Sequence, residues 1–420
     1  MPYAPVSFYE SLKTDIFRTF IVYVTEKNVF DLPKIQTAMR DAGIGAWLIY
    51  DFRGTNPVWK RLIGRELWTT RRLFVWITAT GDPKVLVHQV DREQMNGFPG
   101  KVELFTNYHE MQEKLADWST AWKQPVAMEY SPNDEIPTMS IVDAGAFEMF
   151  RTAGFNIVSS ADLVQYLTAR WNPDSMVRHI TVSKIVDGIK DAAFDMIKIA
   201  LRNCTAITDY DVQQFIRDNF KASGLEEEDV PIVSTNSRSG NPHYAPSAAV
   251  QFPIVPGDWV LIDLWARQPG DEHIFSDITW TAYAGETVPA KHREVFDTVL
   301  AGRDAALKLI TDRYAAKKPV YGWELDDAAR KTITALGYGK YFIHRTGHSL
   351  SPGNHVHGMG ANIDNFETRD TRRLIPGTGF TIEPGVYLPE FGVRSEINVY
   401  IDDDKPMVTS GVQREIILLG

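Results

Sequence analysis

The sequence predicts an α+β protein of two folded parts, on the basis of its length, a change of pattern near its middle and a turn signal at that change. Its 420 residues correspond to more than one domain at roughly 100–200 residues each. Helix-like and strand-like stretches alternate up to Asn172-Pro173-Asp174, whereas strands bounded by Gly and Pro dominate beyond Pro231. We therefore predict domains over 31–172 and 173–420, preceded by an N-terminal extension over 1–30 with no assigned role.

Apolar spacing predicts the elements of the first part. Apolar positions at helical spacing predict helices over 32–42, 109–118 and 140–153. Short apolar runs of strand type predict strands over 46–50, 73–78, 84–90 and 125–130. This alternation is typical of a compact α/β domain.

The second part begins with a long amphipathic pattern that predicts a helix over 175–201. A second helix is predicted over 209–220, with Asp209 as its N-cap, and two more over 292–313 and 324–336. Strands are predicted over 259–265, 275–283, 380–382 and 394–401.

Charge and composition exclude several classes of partner. Acidic residues outnumber basic ones, 54 to 44, and a net charge of −10 provides no electrostatic footprint for nucleic acid or an anionic membrane. No stretch approaches the ~18 apolar residues of a membrane helix, and charges within the first twenty residues argue against a secretory signal.

The single cysteine, Cys204, lies in an apolar run and is predicted to be buried and inert. A large chain without disulfides suits a reducing compartment, so we predict a cytoplasmic protein.

Histidines are concentrated in one short segment. Four of the ten fall between positions 344 and 357, among glycines, namely His344, His348, His355 and His357. A polar loop often contains one histidine by chance, but four so close together indicate a site.

Four carboxylates interrupt otherwise apolar strands, namely Asp263, Asp277, Glu383 and Glu396. An ionised carboxylate in a buried strand is costly unless it is paired or bound to a cation. Any one of them alone is better explained as an ion-paired or edge-strand residue. Asp263 and Asp277 are spaced as in two strands of a hairpin, and strand alternation places Arg394, Glu396 and Asn398 on one face.

Together with one imidazole, these carboxylates predict a metal centre. Their combined charge of about −4 would be neutralised by two divalent cations without burying net charge. An oxygen-rich set with one nitrogen donor suits Mn²⁺ and also accepts Co²⁺, Fe²⁺ or Zn²⁺. Two such ions can polarise a carbonyl and activate a water, which predicts metal-assisted hydrolysis.

Five motifs follow one another in the second part: Asp263, Ser276-Asp277-Ile278-Thr279, Thr346-Gly347-His348, Ile382-Glu383-Pro384-Gly385 and Arg394-Ser395-Glu396. Their order resembles that of the pita-bread metallopeptidases, which include Xaa-Pro aminopeptidases, prolidases, methionine aminopeptidases and the metal-free creatinases. The resemblance spans roughly residues 175–420. The preceding part is similar to a creatinase-type N-terminal domain.

The resemblance implies a role for each ligand. Asp263 would bind one metal through both oxygens, Asp277 and Glu396 would bridge the pair, and His348 with Glu383 would complete the second metal. Glu383 would also act as the general base.

Further residues are implied outside the metal ligands. His243 and one later histidine would contact substrate and stabilise the tetrahedral intermediate. Family spacing selects His355 as the later histidine, whereas the local Val-His-Gly context favours His357, which we choose. Arg394 and Tyr387 would orient a ligand carboxylate, although Arg394 is equally consistent with a local ion pair. His344 is a candidate for contact with these groups, with a structural role as the alternative.

Some positions depart from the family pattern. Trp280 replaces a usual arginine, Leu264-Trp265 stands where glycine is common, and the loop between Asp263 and Asp277 is longer. These changes are expected to affect the wall of the substrate pocket. The acidic run over 226–229 is predicted to be a solvated loop.

The sequence thus predicts a dinuclear hydrolase that cleaves the bond between an N-terminal residue and proline in small peptides. The resemblance also implies a homodimer or higher homo-oligomer. Two alternatives stay open: a metal-dependent lyase or amide or ester hydrolase on the same fold, and a binding protein with a degenerate site.

Overall fold

A computed structural model describes residues 30–420, apart from positions 66, 354 and 404. The predicted extension over 1–30 therefore lies outside the described residues, except for its last position. The predicted division near residue 172 coincides with the start of a long helix, and it stays a prediction.

The first part contains a six-stranded mixed sheet in the order β4-β3-β2-β1-β5-β6. Its strands are β1 Ala46–Phe52, β2 Arg72–Thr78, β3 Lys84–His88, β4 Lys101–Phe105, β5 Val126–Met128 and β6 Ile157–Ser159. Its helices are α1 Leu32–Asp41, α2 Pro57–Ile63, α3 Tyr108–Ala121, α4 Ala144–Thr152 and α5 Ala161–Val164. Strand β1 is buried on both faces, as its nearly continuous apolar sequence requires, and a separate apolar cluster packs on each face of the sheet.

The second part has two four-stranded sheets and a two-stranded ribbon. One sheet has the order β16-β9-β8-β7, the other β10-β11-β14-β15, and β12 pairs with β13. The strands are β7 Ile232–Thr235, β8 Trp259–Ala266, β9 Ser276–Tyr283, β10 Ser349–Leu350, β11 Gly379–Ile382, β12 Gly385–Tyr387, β13 Gly392–Arg394, β14 Ile397–Ile401, β15 Pro406–Val408 and β16 Ile417–Leu418.

Four helices cover these sheets: α6 Pro173–Arg202, α7 Asp209–Ala222, α8 Ala290–Ala315 and α9 Gly322–Ala335. Helices α6 and α7 pack on the first sheet around one apolar cluster, and α8 and α9 share a second cluster with strands of the other sheet. Asn172 caps α6 by accepting a hydrogen bond from Ser175 N, which explains why the helix begins at Pro173. Across the part of the chain that the structure describes, no helix combines the length and apolar character needed to span a bilayer.

The α+β class is confirmed, whereas several local predictions were wrong. Thr208, not Asp209, caps α7, because its hydroxyl reaches Asp211 N and the Asp211 carboxylate reaches back. The strand predicted over 394–401 is broken at 395 and 396, so that β13 and β14 belong to different sheets. Cys204 is exposed, not buried, because it lies in the turn after α6 with a positive φ of 52°.

Two predicted elements are shorter than expected. The strand predicted over 84–90 ends at His88, whose ring accepts a hydrogen bond from Val90 N and starts a short 3-10 helix. The helix predicted over 140–153 begins at Ala144, because the Asp143 side chain caps it by accepting from Ala146 N.

Candidate metal centre

Two adjacent antiparallel strands supply the first pair of carboxylates. In the register of β8 and β9, Asp263 lies opposite Thr279 and Trp265 opposite Asp277. Because side chains alternate along a strand, all four project from the same face of the sheet. Asp263 and Asp277 are 7% and 5% exposed, so both carboxyl groups are largely removed from water.

His348 and Glu383 are brought together by the pairing of β10 with β11. Thr381 connects them, since its hydroxyl accepts from His348 N at 3.0 Å and donates to Glu383 Oε1 at 3.0 Å. Gly347 allows the close approach, because a Cβ there would lie 2.1 Å from the Thr381 carbonyl oxygen.

Glu396 joins from the break between β13 and β14. Its backbone nitrogen donates to the Thr279 carbonyl at 3.2 Å, which ties the second sheet to the first. Its Oε2 is 2.9 Å from the Thr279 hydroxyl, and that hydroxyl is also 3.0 Å from Asp263 Oδ1. Asp277, His348 and Glu396 form the tightest group, with one ligand atom from each lying within 4.8 Å of the others.

Burial and mutual repulsion make it costly to ionise the carboxylates together. Burial raises the pKa of Asp277 and of Glu396 well above their usual range, and each neighbouring carboxylate raises it further. Burial likewise raises the pKa of Glu383 to about 7, although the Arg394 guanidinium opposes the shift. Such a cluster favours positive charge at its centre.

The side chains of this cluster fit a metal ion because several of their acceptor atoms have no hydrogen-bond donor opposite them. His348 Nδ1 is 3.3 Å from the Ser349 carbonyl oxygen, which can only accept a hydrogen bond, so the ring proton lies on Nδ1. Burial lowers the pKa of His348 well below its usual value, so the ring is neutral and Nε2 presents a lone pair. That lone pair is 3.4 Å from both Asp277 Oδ2 and Glu383 Oε1, and Glu396 Oε1 is buried without a hydrogen-bond partner. Two hydrogen-bond acceptors cannot bond to each other, so a cation placed between them would satisfy both.

Arg394 lies beside the predicted metal ligand Asp263, an arrangement that both of its predicted roles, orienting a ligand carboxylate and forming a local ion pair, allow. It is 5% exposed, and its guanidinium donates to Asp263 Oδ2, to the Thr279 hydroxyl at 2.9 Å and to the Tyr387 hydroxyl at 3.1 Å. It therefore contacts a predicted ligand, Asp263, and holds its orientation.

Tyr387 and His344 continue this network. His344 Nδ1 lies 2.6 Å from the Arg345 carbonyl oxygen and carries the proton, so His344 Nε2 accepts from the Tyr387 hydroxyl at 2.8 Å. Burial lowers the pKa of His344 to about 3 and raises that of Tyr387 to about 12, which keeps both groups neutral. The chain from His344 to Arg394 thus supports the Asp263 side of the site.

The histidines flanking the ligands are placed differently. The His357 ring lines the cleft, with its centroid 4.1 Å from that of His348, and His243 lines the same cleft. His355 also lines the cleft, but its side chain is 77% exposed and contacts Glu228 at 2.6 Å. His357, rather than His355, therefore faces the ligand cluster.

The unusual residues of the hairpin divide between two faces. Trp265 lines the cleft, beside the ligands. Leu264 and Trp280 face the opposite side, where Leu264 is buried against α6 and α7 and Trp280 packs 3.4 Å from the Lys190 ammonium. Strand alternation turns Trp280 away from the cleft, so it does not line the pocket wall.

Other cleft residues were missed from the sequence. The cleft has a volume of about 950 Å³. Glu228 and Asp229 line it, so the acidic run at 226–229 is not simply a solvated loop. Glu228 also accepts a hydrogen bond from Val356 N at 2.6 Å. Arg345 lines it too, and its position next to His344 within the histidine-rich segment was the available signal.

The fold and the site define a class: a chain with a carboxylate and histidine centre in a cleft between two four-stranded sheets. This chain belongs to metallopeptidase family M24, whose model matches residues 181–403. It is similar to the Xaa-Pro dipeptidases of Pyrococcus furiosus, with 35% identity over 190 residues, and of Lactobacillus helveticus, with 32% identity over 204 residues. These alignments cover 44% and 48% of this chain, and 48% and 49% of the relatives. The chain spans about half the length of the curated relatives it matches.

Among solved structures, the dipeptidase PepE of Mycobacterium ulcerans has a TM-score of 0.69 at 18% identity, covering 94% of this chain and 99% of that one. At this identity the likeness concerns the fold. The pita-bread α+β fold predicted from the sequence is confirmed.

Proposed function

We propose that this protein is a metal-dependent hydrolase that cleaves the bond between an N-terminal residue and a following proline in short peptides. The observation that carries the proposal is the convergence of four carboxylates and the neutral His348 in one cleft, with acceptors facing acceptors. Membership of family M24 and the Xaa-Pro dipeptidase relatives support the substrate class.

Five side chains would hold two divalent cations: Asp263, Asp277, His348, Glu383 and Glu396. We propose Mn²⁺, because four of the five ligands are carboxylates, and Co²⁺, Fe²⁺ and Zn²⁺ suit the same donors. When bound, such ions polarise a peptide carbonyl and make water more acidic.

Glu383 is proposed as the general base. A carboxylate at this place in the cleft can take a proton from water and release it to the leaving amine. The Thr381 hydroxyl fixes one carboxylate oxygen, which orients the group.

His357 and His243 are proposed to bind the peptide carbonyl oxygen. Arg345 can only donate, so its contact with His357 Nδ1 at 3.2 Å leaves the ring proton on Nε2. An Nε2–H in the cleft can donate to an oxygen that gains negative charge. Arg394 and Tyr387 are proposed to position Asp263.

The proposal also includes a cellular location and an oligomeric state. We propose a cytoplasmic location, supported by a single cysteine in 420 residues, and a homodimer or higher homo-oligomer, supported by resemblance. None of the relatives or structures above supports the rival lyase or amide or ester hydrolase chemistry.

The test is metal analysis followed by a substrate panel. The chelated protein should regain activity with Mn²⁺ on Xaa-Pro dipeptides and tripeptides, and not on the same peptides with alanine in place of proline. Glu383→Gln serves as the inactive control. Full turnover by that variant, or equal turnover of the alanine peptides, would contradict the proposal.

A further inference from the structure

We propose that Glu228 is a positioning residue, which holds the chain just before His357 and so keeps the His357 ring directed at the metal centre. This inference rests on the proposed peptidase function, in which His357 binds the carbonyl oxygen of the substrate. Glu228 would act through the main chain that carries His357, and not by contact with the reacting atoms.

The segment over 351–357 has no regular structure that would fix His357. Within the described residues this segment, which lies between β10 and β11, contains no helix or strand. Its ends approach each other, because Gly358 N donates to the Ser349 carbonyl oxygen at 2.7 Å. The position of His357 therefore depends on contacts that this loop makes with other parts of the fold.

Both oxygens of the Glu228 carboxylate contact the two residues that precede His357. Oε2 accepts from Val356 N at 2.6 Å, and Oε1 accepts from His355 Nδ1 at 2.6 Å. Hydrogen bonds to a carboxylate are roughly twice as strong as those between neutral groups. The bond from Val356 N belongs to the main chain, so it does not depend on the side chain at 355 and would remain in His355→Ala.

Glu228 belongs to a segment that is itself fixed on β8, the strand that carries Asp263. Glu226 and Arg267 exchange main-chain hydrogen bonds of 2.9 and 3.0 Å, just beyond the end of β8. Arg267 Nε also donates to Glu226 Oε1 at 2.8 Å, and the same guanidinium donates to the Gly353 carbonyl oxygen within the loop. The loop is thus held at two points against the hairpin that supplies the first pair of carboxylates.

The ring of His357 and its main chain are held by different contacts. Arg345 contacts ring Nδ1 at 3.2 Å, and the ring centroid is 4.1 Å from that of His348. Glu228 holds the main chain one position earlier, at Val356. A displacement of about 1 Å in a group that positions the reacting atoms can lower a rate by about 10²-fold. Loss of the Glu228 contact should therefore reduce turnover while the His357 ring is still present.

The rival explanation is that Glu228 acts by its charge alone, as one more anion in the cleft wall. Glutamine separates the two, because it keeps an acceptor oxygen at the same chain length and carries no charge. A positioning role predicts that Glu228→Gln retains most of the activity that Glu228→Ala loses. A charge effect predicts equal losses in the two variants.

The first experiment measures kcat and KM on an Xaa-Pro dipeptide with the Mn²⁺-reconstituted full-length protein. Glu228→Ala should lower kcat by about 10-fold with little change in KM, since the lost bond is charge-assisted and His357 is proposed to act as the carbonyl oxygen gains charge. Glu228→Gln should retain most of kcat. Glu227→Gln is the matched control, because Glu227 lies in the same acidic run but pairs with Arg217 outside the cleft wall.

Combination with His357→Ala tests whether Glu228 acts through His357. The kcat of the double variant Glu228→Ala/His357→Ala should equal that of His357→Ala, because no ring is left to position. A further fall of about 10-fold in the double variant would show that Glu228 acts independently of His357 and would overturn the inference.

Hydrogen exchange at the Val356 amide gives a readout that needs no turnover. Glu228→Ala should accelerate this exchange, because Val356 N loses its acceptor, and Glu227→Gln should leave it unchanged. If the wild type hydrolyses no peptide, the proposed function fails, and the exchange rate still decides whether Glu228 holds the loop. Unchanged exchange in Glu228→Ala, full activity of that variant, or equal losses of activity in Glu228→Gln and Glu228→Ala would overturn the inference.

Discussion

Glu129 provides a test of how burial of a charge affects stability, far from the metal centre. It lies just after β5, is fully buried, and accepts hydrogen bonds from Trp47 Nε1 at 2.7 Å, Asn56 Nδ2 at 3.1 Å and the Ser160 hydroxyl at 3.1 Å. Burial raises its pKa from 4.5 to about 7 in spite of these donors. The folded state therefore binds a proton more tightly than the unfolded state.

The sign and size of the effect follow from this difference. A raised folded-state pKa contributes stability that is fully present below about pH 4.5 and is lost as the pH rises through about 7. A difference of about 2.5 pKa units corresponds to about 3 kcal/mol at 1.36 kcal/mol per unit. In Glu129→Gln the group cannot ionise, so this pH dependence disappears.

The assay is urea unfolding of wild type and Glu129→Gln between pH 5 and pH 8. The stability of the wild type relative to the variant should fall over this range by up to about 3 kcal/mol. Glu113→Gln, on the exposed side of α3, is the matched control and should change the free energy of unfolding by less than about 0.5 kcal/mol. A wild-type and variant difference that stays constant with pH would show that the three donors compensate fully for burial and would refute the reasoning.

Three further outcomes are expected. Gly347→Ala should lower metal stoichiometry and activity together, because the added Cβ would lie 2.1 Å from the Thr381 carbonyl oxygen; normal metal content by elemental analysis would contradict this. His357→Ala should lower kcat by about 10²-fold or more on an Xaa-Pro dipeptide, whereas the exposed His355→Ala should leave it nearly unchanged, and the reverse order would reassign the two. Asn172→Ala should lower the free energy of unfolding by about 1 kcal/mol through loss of the α6 cap, measured by urea unfolding; an unchanged midpoint would show that the cap is dispensable.

The long elements were predictable because their patterns are local. Helix α6 repeats apolar residues over thirty positions and has a cap at Asn172. Strand β8 is an apolar run interrupted by Asp263, and β9 alternates polar with apolar residues. Short strands such as β10, with two residues, and β16 carry no such pattern and exist only through their partners. The break at 395 and 396 was hidden for the same reason, since an extended segment reads alike whether it stays in one sheet or passes to another.

The candidate site was predictable to the extent that its residues conflict with their surroundings. A carboxylate such as Asp263 within an apolar strand is visible in the sequence, and so is the concentration of histidines. Other residues do not conflict with their surroundings in the sequence, and their place becomes visible only in the fold. Arg345 reads as an ordinary loop arginine, although it lines the cleft. The sequence does not show which face of its strand Trp280 occupies, and in the structure it packs against Lys190.

The sequence by itself determined the α+β class, and it predicted the five candidate ligands and, by its local context, His357. Only the tertiary structure decided that Arg394 donates to Asp263, that Trp280 faces α6, and that Arg345 lies in the cleft wall beside His357. The physical reason is range. Burial preference and periodicity act between neighbours in the chain, whereas a hydrogen-bond partner more than a hundred positions away is set by the packing of two sheets.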